Sequence, residues 1–407
     1  MSLSAAGLVA EVLAETPIID GHNDLPALLR EKAGYAVTGL DREVPGQQTD
    51  LVRLQRGGVG AQFWSAWVPS SLSEPEAVVA TLEQIDAIHR LVAAYPDRLA
   101  WARTAADIRA AWADGKIASL IGVEGGHSIA ESLGVLRSLA RLGVRYLTLT
   151  HGNNTTWADS ATDEPGVRGL TADGRAIVAE LNRIGVLVDL SHTSADTQRA
   201  ALAASQAPVI FSHSSAFAVS SHPRNVPDDV LETLARNGGV VQATFVADFL
   251  SDARGRWSAE AMAQAQAAGV AKDIWTDNWP PAPRPSQTAE QAAAAYHPDG
   301  GPFALFARYA AAHPPPRVAI DTVVAHLEHL RDVAGVEHIG LGSDFDGTPS
   351  LPEGLEDVAA FPKLLEALAE RGWSRSDLKA LTGGNVLRVI QAAEETASEP
   401  LFDWPGR

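Results

Sequence analysis

Histidines and carboxylates stand at the ends of short apolar stretches throughout this chain. The first stretch runs into Asp20-Gly21-His22-Asn23-Asp24; later ones end in Glu124-Gly125-Gly126-His127, His151, His192, His213 and Asp344. A single histidine of this kind is more commonly a hydrogen-bonded structural residue than a ligand. Several imidazoles and carboxylates in one cleft are different, because without a cation they amount to crowded anions and desolvated polar groups, both costly. His22 and Asp24 are separated by one residue, so in extended backbone both side chains point to the same side and can grip one ion. Glu124 offers two oxygens and can bridge two ions, with His192 and His213 supplying neutral nitrogens to the second. The sequence has no cysteine, which excludes disulfides, thiolate metal sites, iron–sulfur clusters and cysteine nucleophiles. Imidazole plus carboxylate suits Zn²⁺ in an open catalytic site, ahead of Mn²⁺, Co²⁺ or Fe²⁺.

Something must bring residues more than three hundred positions apart to one place. Eight segments read as strands: Pro17–Asp20, Val59–Trp64, Ala118–Glu124, Val144–His151, Gly185–His192, Pro208–His213, Val240–Phe245 and His338–Asp344. Several are apolar almost throughout, which suits strands covered by helices on both faces. Helical periodicity separates them: Leu133, Leu136 and Leu139 recur before Gly143, and Ile177, Leu181 and Ile184 before Gly185. A glycine there supplies the left-handed cap at which the chain turns back. Val226–Asn237 reads as a helix with Pro227 early and Asp228 and Asp229 in its first turn; Phe361–Glu370 and Ser376–Ile390 read as terminal helices. Eight strands alternating with helices predict an α/β fold, a (β/α)₈ TIM-like barrel, although an open parallel sheet gives the same linear pattern. A barrel gathers all the strand ends around one mouth. One domain over residues 1–407 is expected, with an insertion at about 251–317, between the seventh and eighth strands, rich in Ala, Pro and Trp. It reads either as a surface excursion or as a lid or subunit contact.

Composition narrows the partners. With 32 Lys and Arg against 50 Asp and Glu the net charge is −18, which argues against nucleic-acid backbones and anionic lipid surfaces. The N-terminal residues show no basic region followed by an apolar run, and no window reaches transmembrane length. A soluble, cytoplasmic protein is the expectation.

These motifs carry a family resemblance. The chain resembles the membrane (renal) dipeptidase family, the M19 peptidases of the amidohydrolase superfamily. The similarity lies in DGHNDLP at Asp20–Pro26, EGGHSI at Glu124–Ile129, YLTLTH at Tyr146–His151 with NTTWAD at Asn154–Asp159, and LVDLSH at Leu187–His192. It continues through FSHSSA at Phe211–Ala216, RNVPDD at Arg224–Asp229 and GSDFDG at Gly342–Gly347. Each motif alone is weak; all of them in order at strand ends are specific.

The resemblance implies a dipeptidase with two Zn²⁺ per chain. His22 and Asp24 would bind one ion, Glu124 would bridge, and His192 and His213 would bind the other. It further implies attack by a metal-bridging hydroxide, with Asp344 moving the proton and His151 binding substrate and donating to the oxyanion. Arg224 would grip the C-terminal carboxylate of the dipeptide, and a D residue would be tolerated there. A homodimer is a family expectation. The long insertion departs from vertebrate members and puts side-chain specificity in doubt; the lack of their cysteines, signal and lipid-anchor signal argues against an extracellular location. His127 reads as a support for Glu124, Asp346 as a structural residue that caps a turn, and Asp189 as orienting a neighbouring ligand. His222, His297, His313, His326, His329 and His338 lie off the strand ends and read as surface or packing histidines. The rival within enzymes is another amidohydrolase acting on N-acyl amino acids or lactams, and outside them a non-catalytic metal-binding barrel.

Overall fold

In a computed structural model, which describes residues 4–267, 286–288, 291 and 308–400, the apolar segments form one parallel sheet. Its strands are β1 (Ile18–Asn23), β2 (Val59–Trp67), β3 (Leu99–Trp101), β4 (Ile117–Glu124), β5 (Val144–Thr148), β6 (Leu187–Asp189), β7 (Ile210–Phe211), β8 (Val240–Ala243) and β9 (Ile339–Leu341). The order β2-β1-β9-β8-β7-β6-β5-β4 closes on itself through pairing of β2 with β4, from Ala61 opposite Ala118 to Trp67 opposite Glu124. Eight strands therefore make a closed TIM-like barrel, and the open-sheet alternative is excluded. Because every pairing is parallel, all carboxyl ends emerge at one rim, where barrel enzymes place their chemistry.

β3 has no counterpart in the sequence reading. Its three residues pair with the start of β4, Leu99 to Ile117 through Trp101 to Ser119, on the edge that β5 takes over from Ile121 onward. So short a stretch carries too little pattern to register as a strand.

The later strands, β5 to β9, stop earlier than the sequence suggests, whereas β1 and β2 run three residues further. β5 ends three residues before His151, β6 three before His192, β7 two before His213 and β9 three before Asp344. His151, His192, His213 and Asp344 therefore sit on the turns that follow, where the backbone leaves the ladder. His192 and Asp344 both adopt φ of +66°, a left-handed conformation that costs non-glycine residues energy and concentrates at functional sites.

The helices follow their apolar faces. Leu133–Arg141 buries Leu136, Leu139 and Ala140, and Ala172–Ile184 ends at Gly185 with φ of +73°. Each fully buried leucine contributes about 1.5–3 kcal/mol relative to exposure. Pro227 caps the helix Asp228–Asn237 instead of lying in its first turn. The single terminal helix expected over 376–390 is instead Arg375–Lys379, a π-turn at Ala380–Gly384, and Asn385–Thr396. Inside the barrel, Gly122 is required by close approach: a Cβ there would lie 1.9 Å from the Tyr146 ring.

The insertion opens with the helix Asp252–Ala267, tied to the barrel loops by its first turns. Asp252 Oδ1 accepts from Ser221 N at 2.7 Å, and Arg254 donates to Asp248 at 2.8 Å and Ser350 at 2.9 Å. The proline-rich 280–285 stretch and His297 lie outside the described residues.

Candidate metal centre

The rim assembles the predicted residues from six strands. His22 lies on β1, and Asp24 occupies the N-cap of the helix Leu25–Ala33 without using its side chain as a cap. Glu124 closes β4. His151, His192, His213 and Asp344 follow β5, β6, β7 and β9. His22 and His213 are fully buried and Glu124 is 4% exposed, whereas His151 and His192 reach the mouth with side chains 19% and 12% exposed.

Glu124 is the hub. Its Oε1 lies 2.9 Å from His192 Nε2 and 3.3 Å from His213 Nε2, while Oε2 lies 3.5 Å from His22 Nε2. The His192 and His213 Nε2 atoms are 2.9 Å apart. On the other side His22 Nε2 is 3.2 Å from Asp24 Oδ2. His151 stacks on His192 with ring centroids 4.3 Å apart, and its Nε2 is 4.0 Å from Glu124 Oε1. Among the described residues, donor atoms close enough to share an ion fall into three overlapping sets: His22, Glu124 and His213; Glu124, His151 and His192; His22, Asp24 and Asp344. Glu124 belongs to two of these sets and His22 to two, so the arrangement suits ions sharing a bridging carboxylate.

The electrostatics fit a cation. Burial penalises the Glu124 charge, but neighbouring histidines, His22 first among them, outweigh it and hold its carboxyl well below the usual range. Burial, with Asp24 and Glu124 close by, pushes Asp344 well above the range of an ordinary carboxyl. Burial opposes a proton on His22, yet Tyr146, Glu124 and Asp24 hold its pKa well above normal. The shifts of Asp344 and His22 both answer an excess of buried negative charge, which a divalent ion neutralises. His192 and His213 are pushed well below normal by burial, aided by Arg224 and His22 respectively, and are neutral, as ligands must be. Buried His22 Nε2 and Asp24 Oδ1 make no hydrogen bond, an unusual cost that a metal relieves.

The residues behind the histidines set their orientation. Tyr146 Oη lies 2.8 Å from His22 Nδ1 and donates to Gly21 O at 3.3 Å. It is placed to accept from Nδ1–H, which turns Nε2 toward the carboxylates. Ser212 Oγ lies 2.8 Å from His213 Nδ1. Tyr146 and Ser212 escaped the sequence reading, although both stand inside the quoted motifs. Their only signal is that a polar atom on an otherwise apolar strand needs a partner.

Arg224 is 2% exposed at the rim. Among the described residues its Nη atoms make only long contacts, 3.4 Å to Ser214 Oγ and 3.3 Å to His213 O, and Nε has no partner. Its guanidinium carbon lies 5.2 Å from the Phe249 ring centroid. Burial lowers its pKa to about 10, so it stays charged at neutral pH with donors to spare for an anion.

The remaining candidates take supporting places. His127 Nε2 pairs with Val68 O at 3.0 Å. Asp346 Oδ1 accepts from Gln48 N at 2.7 Å, and Asp346 N donates to Gln48 Oε1 at 2.6 Å, clipping two rim loops together. His326 is fully buried between Ala216 N and Leu250 O. His222 stacks on Phe249 and accepts from Arg224 N at 3.2 Å, which places it beside the site.

Comparison with known proteins identifies the family. Residues 8–401 match the model of the membrane dipeptidase family, peptidase family M19. The chain belongs to this family. It is 41% identical to Dipeptidase verJ of Clonostachys rogersoniana, over 95% of this chain and 87% of that protein. It is 38% identical to mouse Dipeptidase 3, over 97% of this chain and 68% of that protein. Among solved structures, a metallo peptidase from Rhodobacter sphaeroides liganded with a phosphinate mimic of the dipeptide L-Ala-D-Ala superposes with a TM-score of 0.73. That structure is 24% identical, covering 93% of this chain and 99% of its own. The M19 chain is thus a metal-dependent dipeptide hydrolase on the amidohydrolase barrel.

Membership corrects the cytoplasmic expectation. The family is described as membrane dipeptidases and mouse Dipeptidase 3 is among the relatives, so the reading that set the protein in the cytoplasm, away from membranes, is withdrawn. Net charge and helix hydropathy describe the surface of the folded unit, and neither reports its compartment. Among the described residues no helix is long and apolar enough to cross a membrane.

Proposed function

We propose that this M19 enzyme cleaves dipeptides, including those with a C-terminal D residue, at two Zn²⁺ ions bridged by Glu124. His22 and Asp24 would complete one site, and His192 and His213 the other. The observation that carries this reading is the division of Glu124, whose Oε1 faces His192 and His213 while Oε2 faces His22. A zinc pair held there would supply a water of lowered pKa as nucleophile and would polarise the peptide carbonyl.

The chain's own residues do the rest. Arg224, with unused donors, holds the free carboxylate of the substrate in a two-pronged contact and so measures its length. His151, stacked on His192 at the mouth, donates to the carbonyl oxygen as negative charge develops there. Asp344 takes the proton from the attacking water and passes it to the leaving amine. Its left-handed backbone aims the carboxylate back toward Asp24 and His22. Tolerance of a D residue is supported by the L-Ala-D-Ala mimic bound to the Rhodobacter sphaeroides relative.

The test is zinc per chain by elemental analysis, with hydrolysis of an L,L and L,D dipeptide panel before and after chelation. About two zinc per chain and chelator-sensitive cleavage of both series are expected. Strict L,L cleavage would remove the D-residue reading. Two zinc without dipeptide cleavage would point to N-acyl amino acids or lactams, and no bound metal would end the mechanism.

A further inference from the structure

One arrangement occurs twice around the rim. Asp20 on β1 accepts with Oδ1 from Ser343 N at 2.8 Å and His22 N at 3.4 Å, and with Oδ2 from Ser343 Oγ at 2.7 Å. Asp189 on β6 accepts with Oδ1 from Ser212 N at 2.8 Å and Ser191 N at 3.1 Å, and with Oδ2 from Ser212 Oγ at 2.7 Å. In each case a fully buried aspartate staples its strand to a serine after the neighbouring strand. Each aspartate precedes a site histidine, His22 or His192, and each serine immediately precedes a site residue, Asp344 or His213.

The two staples differ in what lies beyond the serine. Ser343 Oγ meets only backbone, His22 O at 3.2 Å and Phe345 N at 3.3 Å. Ser212 Oγ meets the imidazole of His213, 2.8 Å from Nδ1. A serine hydroxyl has one proton, and Asp189, an acceptor only, takes it. Ser212 Oγ can therefore only accept from His213, so Nδ1 carries the hydrogen and Nε2 presents a lone pair toward Glu124.

We propose that Asp189, acting through Ser212, is a positioning residue that fixes the metal-ready tautomer of His213, whereas Asp20 only joins two strands. The inference rests on the metal site proposed above. In Asp189→Asn the amide oxygen keeps the two backbone donors, while the new NH₂ faces Ser212 and Thr148, whose Oγ1 also donates to Asp189 Oδ2 at 2.5 Å. Ser212 then accepts from Asn and donates to His213 Nδ1. The hydrogen moves to Nε2, where it blocks the lone pair, with no change of shape. In Asp20→Asn the same exchange ends at His22 O, which accepts from Ser343 without involving an imidazole.

The experiment measures zinc affinity by competition with a fluorescent chelator and the His213 tautomer from imidazole ¹⁵N shifts of the metal-free protein. Wild type, D189N, S212A and D20N are compared, with thermal melting to confirm folding. D189N is expected to lose about 10–100-fold in affinity for one zinc equivalent, the range found when a group supporting a ligand is removed. Its His213 signal should switch to the Nε2–H form. S212A, which frees the tautomer without inverting it, should lose less, and D20N under threefold. Unchanged affinity in D189N, or equal losses in D189N and D20N, would overturn the assignment. Should D189N fail to fold, S212A must still weaken zinc more than D20N. If wild type binds no zinc, the metal reading fails, and the ¹⁵N shifts still decide the tautomer.

Discussion

Replacing Arg224 with methionine separates a dipeptidase from an enzyme that merely hydrolyses amides. Methionine keeps an unbranched chain over the Phe249 ring, which the guanidinium carbon now approaches to 5.2 Å, and removes the charge. In wild type Nε has no partner and both Nη contacts are 3.3 Å or longer, so docking a carboxylate sacrifices little. Two charge-assisted hydrogen bonds are worth about 1.5–3 kcal/mol each. Taking about 3 kcal/mol as the net after the substrate is desolvated, kcat/KM for a free dipeptide should fall about 150-fold, at 1.36 kcal/mol per decade. The assay compares an L,L dipeptide with its C-terminal amide on both proteins. Wild type should prefer the free acid by a similar factor, and R224M should show almost no preference. Activity of R224M on the free dipeptide within threefold of wild type would refute the role. So would an equal loss on acid and amide, since that would mean a damaged site and not a lost carboxylate contact.

Glu124→Gln removes the charge that faces both sets of histidines, so zinc retained after dialysis should drop below one per chain. Activity should fall by more than about a hundredfold, beyond the loss typical of groups that only support a ligand; elemental analysis and a dipeptide assay check both. Gly347→Ala places a methyl 2.2 Å from Asp24 Oδ2 and 2.5 Å from Asp344 Oδ1. Both carboxylates must shift, and kcat should fall by about two orders of magnitude, the cost of an ångström-scale misplacement. Asp346→Asn tests a partly buried carboxylate whose Oδ2 is out of contact with solvent. Burial raises the Asp346 pKa to about 6, above its unfolded value, and Oδ2 has no hydrogen-bond partner. The folded protein therefore binds more protons than the unfolded chain between about pH 4 and 6, and stability is lost as pH rises through that window. The variant, carrying no charge there, should unfold at higher denaturant than wild type at pH 7, by up to about 3 kcal/mol from a shift of about two units. That advantage should vanish by pH 4, and a constant difference at both pH values would contradict the burial argument.

Much of the site was written in the chain itself. Apolar runs and period-three repeats are local properties, so the eight barrel strands and a minority of the helices were legible, as was the placing of His22, Asp24, Glu124, His192 and His213 at or near strand ends. The absence of cysteine excluded thiolate ligands before any geometry was known. Tertiary structure decided what depends on contacts between distant residues. Closure of β2 onto β4 could not be read from a linear alternation that an open sheet shares. β3 was too short to leave a pattern, and the left-handed turns at His192 and Asp344 are backbone states that residue type does not dictate. The proton on His213 was least accessible of all. It depends on Asp189 and Ser212, residues 23 apart in sequence, that meet only because β6 and β7 are neighbours in the closed barrel.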